Sequence, residues 1–157
     1  MLAITRELLD TLTAQAQASP RLRKNHNLHQ ADDSPCHRLL NAMEPDSYIQ
    51  PHRHLAPDKD ESIVVLRGRL AAIAFDDEGT VTATHLLEPG GAALAIDVPH
   101  GLFHTFVCLE RGSVFFEAKA GPYLPLTPAE RAPWAPAEGE PEAPAYLAAL
   151  KARLQSP

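Results

Sequence analysis

Short apolar runs separated by turn-forming residues fill the middle of the chain, from Cys36 to about Pro125. No helical periodicity interrupts them, and glycine, proline or acidic residues bound most of them. Short runs at this spacing are typical of a β-sandwich or barrel, so we expect an all-β domain. The predicted strands cover residues 38–43, 47–54, 62–66, 70–75, 81–87, 92–98, 102–109 and 113–119.

The segment before the strands combines a helix with a polar stretch. Residues 4–18 predict a helix capped by Thr5, because apolar side chains recur on one face at helical spacing. Pro20 ends this helix, since the residue before a proline is disfavoured in helical geometry. Residues 21–29 are too polar for a core segment, and they predict either an edge strand or an arm.

The segment after Gly121 is rich in proline and predicts an extended tail that wraps the barrel. Tyr123 and Trp134 are the residues expected to pin it. A last helix should follow, with Pro144 in its first turn. The chain thus divides into an N-terminal helix and arm (1–30), a barrel (36–125) and a tail with a helix (126–157), which together form one domain.

Composition excludes some classes of protein. The formal net charge is −6, and the only basic cluster is Arg21, Arg23 and Lys24, so we expect no nucleic-acid binding. No apolar run is long enough to span a bilayer or resembles a signal peptide, so we expect a cytoplasmic protein. Cys36 and Cys108 are expected to be reduced thiols, although a single bond between them stays possible.

Two blocks of residues indicate a metal site. In the first, His52 and His54 are two apart, so both side chains can project to one side of an extended strand. Glu61 follows, and six residues separate it from Gly68. In the second block, Pro99-His100-Gly101 forms a turn, and His104 lies on the strand that follows.

Three neutral imidazoles and one carboxylate suit a borderline divalent ion, so we expect one Zn, Fe, Mn or Ni ion on His52, His54, Glu61 and His104. Asp58 is the alternative carboxylate. His37 and His85 are expected to be surface histidines or satisfied core histidines. His100 and Arg53 are expected to be polar neighbours at the mouth of the site.

The two blocks resemble the paired cupin motifs, G-x5-H-x-H-x3/4-E-x6-G and G-x5-P-x-G-x2-H-x3-N. His52, His54, Glu61 and Gly68 match the first motif, and Pro99, Gly101 and His104 match the second. The chain departs from the motifs because six residues separate His54 from Glu61, and because Cys108 replaces the final asparagine. The resemblance implies the fold of a cupin, a double-stranded β-helix or jelly-roll barrel.

A closer resemblance extends over nearly the whole chain. Residues 23–29 (RKNHNLH), 121–123 (GPY) and 132–139 (APWAPAEG) are similar to segments of the WbuC-like cupin-fold metalloproteins. These are bacterial proteins whose genes often occur among genes for O-antigen and other surface polysaccharides. The resemblance implies a metal-binding cupin that acts in polysaccharide metabolism, but it brings no established reaction.

Three functions therefore compete. The first is an enzyme that isomerises or epimerises a carbohydrate or sugar nucleotide, with His29 or His100 as the catalytic residue that moves a proton. The second is an iron-dependent dioxygenase, and the third is a sugar-binding module or sensor without catalysis. In each, the partner is a small carbohydrate-like molecule and not a nucleic acid or membrane, and we expect a homodimer.

Overall fold

The computed structural model describes residues 1–154 and contains two antiparallel β-sheets, with a helix near each end of the chain. The five-stranded sheet has the order β1-β2-β8-β3-β6, and the three-stranded sheet has the order β5-β4-β7. The elements are α1 (Arg6–Ala18), β1 (Arg23–Asn27), β2 (Cys36–Met43), β3 (Glu61–Arg67), β4 (Leu70–Phe75), β5 (Val81–Leu87), β6 (Ala95–Val98), β7 (Phe103–Cys108), β8 (Ser113–Ala120) and α2 (Ala143–Arg153). The predicted jelly roll, with its N-terminal helix, C-terminal tail and helix, is confirmed.

Two helical segments cover the outer faces of the sheets. Leu9 and Leu12 of α1 pack on Leu40 of β2, on the outside of the five-stranded sheet. Leu147 and Leu150 of α2 belong to the apolar cluster on the outside of the three-stranded sheet. Thr5 caps α1 as predicted, because its Oγ1 accepts a hydrogen bond of 3.2 Å from the backbone N–H of Leu8.

A third apolar cluster fills part of the space between the sheets. It joins Ile63 and Val65 of β3 to Leu70 of β4 and Phe106 of β7. These side chains alternate with outward-facing neighbours along each strand, as expected for a sheet with one face in the core. Burial of this cluster holds the two sheets face to face.

The predicted strand 47–54 is absent. The segment is extended, but only His52 forms isolated β-bridges, one with His104 and one with Arg131. Pro51 has no N–H to donate to a ladder, and the N–H groups of His52 and Arg53 bond to two different partners, His104 and Glu130. The other predicted strands agree with the structure to within three residues at each end.

The structure shows where the polar segment and the tail lie. Of the two alternatives for residues 21–29, the structure has the edge strand, β1. Trp134 pins the tail, because it packs on Phe75 and Phe103 with ring centroids 4.9 and 5.9 Å away. The role expected for Tyr123 is wrong: its side chain is 56% exposed, and only its backbone N–H anchors the tail, on the Asp32 carbonyl.

Two smaller features complete the fold. Cys36 is exposed and Cys108 is buried, and both are free thiols, so the disulfide that the sequence left possible is not formed. Within residues 1–154, neither helix has the length and apolarity that crossing a membrane requires.

Candidate metal centre

The candidate metal centre lies between the two sheets, where three separate pieces of chain meet. Glu61 is the first residue of β3, in the five-stranded sheet, and His104 is on β7, in the three-stranded sheet. His52 and His54 come from the extended segment 47–54. The backbone of His52 exchanges two hydrogen bonds with that of His104, at 3.0 and 2.8 Å, which fixes this segment against β7.

Glu61 is the centre of the cluster. Its Oε1 lies 2.9 Å from Nε2 of His54, and its Oε2 lies 3.3 Å from Nε2 of His104. Ligand atoms of His52, His54 and Glu61 all lie within 4.8 Å of one another. His104 completes the group through its contact with Glu61 and through its ring, whose centroid is 4.7 Å from that of His52.

Hydrogen bonds to main-chain carbonyls orient two of the imidazoles. Nδ1 of His52 lies 3.0 Å from the Gln50 carbonyl, and Nδ1 of His104 lies 2.9 Å from the Leu102 carbonyl. A carbonyl can only accept, so each Nδ1 donates and each Nε2 is left for another partner. For His104 that partner is the carboxylate of Glu61, 3.3 Å away.

The pKa shifts of His52 and Glu61 suit the binding of a metal ion. Burial, reinforced by the neighbouring His104, lowers the pKa of His52 to about 3, so this imidazole is neutral at physiological pH. Burial alone would raise the pKa of Glu61, but hydrogen bonds from His104 and His54 and the charge of Lys119 outweigh it and lower that pKa. Neutral imidazole and ionised carboxylate are the forms that bind metals.

A buried polar chain continues from Glu61 into the sheet. Nζ of Lys119 lies 2.6 Å from Oε1 of Glu61 and 2.6 Å from Oε1 of Glu117. The side-chain amide of Asn41 donates a hydrogen bond of 2.8 Å to the other carboxylate oxygen of Glu117. Burial opposes the charge on Lys119, but its two carboxylate partners outweigh burial and raise its pKa. The lysine therefore stays charged and holds Glu61 in place.

Two cavities open onto the cluster. The first, of about 610 Å³, lies along the inner face of the five-stranded sheet and reaches His52 and Glu61. The second, of about 520 Å³, runs under the tail segment 120–127 and reaches His52 and His54. Both volumes lie in the range of small-molecule sites. A ligand could thus reach the cluster from either side.

The structure brings some of the predicted site residues together and leaves others apart. His29 is buried and lines the larger cavity with His52 and Glu61. His100 lines neither cavity, because its ring and its backbone N–H both bond to Oδ1 of Asp60 at 2.8 Å, with the side chain 43% exposed. Its catalytic role stays a prediction.

Two further expectations concern Asp58 and Arg53. Asp58 lies exposed in the turn between His54 and β3, so Glu61 is the carboxylate in contact with the histidines. The longer spacing from His54 to Glu61 is taken up by this turn. Arg53 does not face the site: its guanidinium lies 4.2 Å from the centroid of the Phe103 ring and bonds to Asp77. Strand-like alternation turns it away from its two histidine neighbours.

Sequence reasoning missed three side chains near the site, His37, Lys119 and Asn41. His37 does have a main-chain partner, as expected of a core histidine, but it also lines the larger cavity. A signal was present in β8, where Phe115, Glu117 and Lys119 alternate and so share one face. Two charged residues on the same face as a core phenylalanine predict a polar cavity next to the core.

Solved structures share this fold. The structure of KdgF from Halomonas sp. is 19% identical with a TM-score of 0.51, and the match covers 68% of this chain and 84% of that one. An oxalate oxidase in complex with the substrate analogue glycolate is 15% identical with a TM-score of 0.50, covering 66% and 53%. A conserved protein of unknown function from Streptococcus pyogenes is 13% identical with a TM-score of 0.50, covering 68% and 80%.

At these identities the likeness concerns the fold. No sequence among the curated proteins matches the chain. A family model does match: it is described as Domain of unknown function (DUF6016), and it aligns with residues 4–87, which is more than half of the chain. That span includes α1, β1 and three of the four candidate ligands, His52, His54 and Glu61. The chain therefore belongs to the family described as Domain of unknown function (DUF6016).

Proposed function

We propose that the protein is a metal-dependent cupin enzyme that isomerises or epimerises a carbohydrate or a sugar nucleotide. One observation carries the proposal: three imidazoles and one carboxylate converge at a point that two cavities of small-molecule size share. A purely structural metal site is normally closed by protein ligands and has no need of such cavities.

The donor set fits a borderline divalent ion, Zn, Fe, Mn or Ni. His52, His54, Glu61 and His104 would hold it. The hydrogen bonds from Nδ1 of His52 and His104 to main-chain carbonyls would orient these two ligands. When bound, such an ion supplies a Lewis acid for an oxygen of the ligand. Lys119 keeps Glu61 ionised and fixed, so the carboxylate stays available as a ligand.

His29 is the residue of this chain best placed to move a proton. Its Nδ1 is held by the main chain of Arg38, 3.2 Å from the N–H and 3.1 Å from the carbonyl, which leaves Nε2 for another partner. The ring lines the larger cavity. His100 is a second candidate for this role, although Asp60 occupies its Nδ1.

The sequence supports a carbohydrate as the ligand. Residues 23–29 and 132–139 resemble the WbuC-like cupin-fold metalloproteins, whose genes occur among those for bacterial surface polysaccharides. In this structure residues 23–27 form β1, beside the larger cavity, so the similar segment lies at a ligand-accessible place. We accordingly place the protein in bacterial surface-polysaccharide metabolism, in the cytoplasm. We also expect a homodimer, which light scattering at micromolar concentration would measure.

The test is a panel of sugars and sugar nucleotides incubated with protein of known metal content, followed by mass spectrometry and NMR of the products. We expect an isomer or epimer of one sugar. The His104→Ala variant should lose metal and turnover together, whereas His29→Ala should keep the metal and lose turnover. The matched control is His85→Ala, an exposed histidine on β5.

Other outcomes would contradict the proposal in different ways. Oxygen uptake with an iron-loaded protein would indicate a dioxygenase. Binding without conversion, with and without oxygen and across several metals, would indicate a sugar-binding module. Turnover that survives in metal-free protein or in the His104→Ala variant would remove the metal from the mechanism.

A further inference from the structure

The larger cavity has a polar wall that lies across the sheet from the metal centre. We call it the polar wall, and its members project from β1, β2 and the segment between them into one space. It consists of Asn25, Asn27, His29, His37 and Asn41. Of these, the proposed metal chemistry uses only His29, and Asn41 supports Glu117. Asn25, Asn27 and His37 have no role in it.

Three of the four cationic side chains that line this cavity are already paired with carboxylates. Arg21 and Arg23 both bond to Glu138 at 2.6 Å, and Lys119 bonds to Glu61 and Glu117. Lys24 also lines the cavity, but it is exposed to solvent. Because its partnered cations face carboxylates of the protein, the cavity keeps little capacity for an anionic group of a ligand.

The amides of the polar wall keep both donors and acceptors free. Asn25 donates a hydrogen bond of 2.8 Å from Nδ2 to Oδ1 of Asn27, which leaves Oδ1 of Asn25 and Nδ2 of Asn27 without a partner among residues 1–154. Asn41 donates to Glu117, which leaves its Oδ1 free to accept. Both N–H donors of Asn27, one further N–H on each of Asn25 and Asn41, and two acceptor oxygens therefore remain.

His29 and His37 add further hydrogen-bonding atoms to the polar wall. Their rings stack with centroids 4.0 Å apart, and both residues are buried. Nε2 of His37 lies 3.0 Å from the Asp32 carbonyl and must donate to it, so Nδ1 is left as an acceptor. His29 is held through Nδ1, and its Nε2 can donate or accept according to the tautomer.

We propose that the polar wall is a subsite for the neutral, polyhydroxylated end of an extended ligand whose other end lies at the metal centre. The inference rests on the proposed function. A hydroxyl group both donates and accepts, and the free atoms of the wall do the same, whereas a phosphate or carboxylate only accepts.

The sheet sets the length of this ligand. β2 lies two strands from β3 in the order β1-β2-β8-β3-β6, and His37, Lys119 and Glu61 are in register across them. Neighbouring strands are about 4.8 Å apart, so the backbones of His37, on the nearer strand of the wall, and Glu61 are about 10 Å apart. A linear chain of about six carbons is needed to approach both ends.

Three probes separate the possibilities, each titrated by calorimetry into protein with one bound metal per chain. Gluconate has a carboxylate for the metal and a hydroxylated tail, hexanoate has the carboxylate alone, and 6-phosphogluconate adds an anionic terminus. We expect gluconate to bind at least about tenfold more tightly than hexanoate, which corresponds to about 1.4 kcal/mol. The 6-phosphogluconate should bind no more tightly than gluconate.

Variants assign the effect to the wall. Asn27→Ala changes an exposed side chain and should leave the fold intact, and His37→Phe preserves a stacked ring without its nitrogens. Both should reduce gluconate affinity towards that of hexanoate at unchanged metal content. The matched control is His85→Phe, which removes an imidazole from β5 and should change neither affinity.

The possible failures are distinguishable. If the protein binds no metal, the proposed function fails and this inference fails with it. If metal binds but gluconate and hexanoate have equal affinities, or neither acid binds, the polyol subsite is wrong while the metal centre stands. Tighter binding of 6-phosphogluconate, retained in Asn27→Ala and His37→Phe, would make the site one for anions and overturn the assignment.

Discussion

The two ends of the barrel differ in character although the same strands build both. On β3, Glu61 lies at one end and Ile63 begins the apolar cluster two residues later. On β7, the ionisable His104 is likewise followed two residues later by Phe106 of the apolar cluster. One end thus buries apolar side chains, and the other buries ionisable ones.

The difference has opposite energetic consequences. Each large apolar side chain in the cluster contributes about 1.5–3 kcal/mol by leaving water. Glu61 and Lys119 instead lose hydration, and their mutual attraction does little more than offset that loss. A barrel selected for stability alone would be apolar at both ends, which is why we assign the polar end to function.

The largest effect should follow from breaking the buried ion pairs at the polar end. In metal-free protein, Lys119→Met leaves Glu61 and Glu117 without their cation and should cost about 3–5 kcal/mol of unfolding free energy. The carboxylate of Glu61 is then no longer held ionised and in place, so metal affinity should fall. Urea unfolding with and without metal measures both quantities, and an unchanged or higher affinity would contradict the role given to the lysine.

The apolar end should respond through stability alone. Ile63→Ala removes a side chain that is 1% exposed and should cost about 2–5 kcal/mol. Metal affinity per folded molecule should stay within about threefold, a range worth less than 1 kcal/mol. Leu86→Ala, at a 49% exposed position, is the control and should change stability by less than about 0.5 kcal/mol. A large loss of affinity in Ile63→Ala would show that the two ends are not separable.

Acid should destabilise the polar end of metal-free protein. The pKa of His52 is about 3 when folded and about 6.5 when unfolded, so between these values only the unfolded chain takes up the proton. Stability from this group is full above about pH 6.5 and falls with acidification, by at most about 1.4 kcal/mol per pH unit. Urea unfolding at pH 7, 6 and 5 should give a shallower pH dependence for His52→Gln, and equal slopes would refute the assignment.

The smallest effect is expected at the mouth of the cavity. Arg21 is 62% exposed in its ion pair with Glu138, whereas Arg23 is 18% exposed and also donates to Ser47 and the Tyr48 carbonyl. Arg21→Ala should therefore cost about 0–1 kcal/mol, and Arg23→Ala should cost more. Equal shifts in melting temperature for the two variants would show that burial does not determine how much each arginine contributes to stability.

The apolar end was largely predictable from sequence. Strand alternation and turn residues locate β3, β4, β7 and β8, and the turn before β5 is built as its sequence suggests. Asp76 Oδ1 accepts from the backbone N–H groups of Glu78 and Thr80, and Gly79 has a φ of +89°. These signals involve residues close together in sequence, so they can be recognised in a single sequence.

The polar end was only partly predictable. The spacing of His52, His54 and His104 indicated a shared site, because H-x-H on an extended segment needs no tertiary information. Whether His37 and Lys119 lie at the polar end depends on which strands are neighbours and in what register they pair. The sequence does not state either. The prediction of a strand over 47–54 was wrong because the segment forms only two single bridges, one to His104 on β7 and one to Arg131 in the tail.

The most direct test of the metal centre is the metal content of purified untagged protein, measured by elemental analysis alongside His104→Ala and His85→Ala. We predict one divalent ion per chain in the wild type and in His85→Ala, and none in His104→Ala. A metal-free wild type that cannot be reconstituted with Zn, Fe, Mn or Ni would contradict the account, and so would full occupancy in His104→Ala.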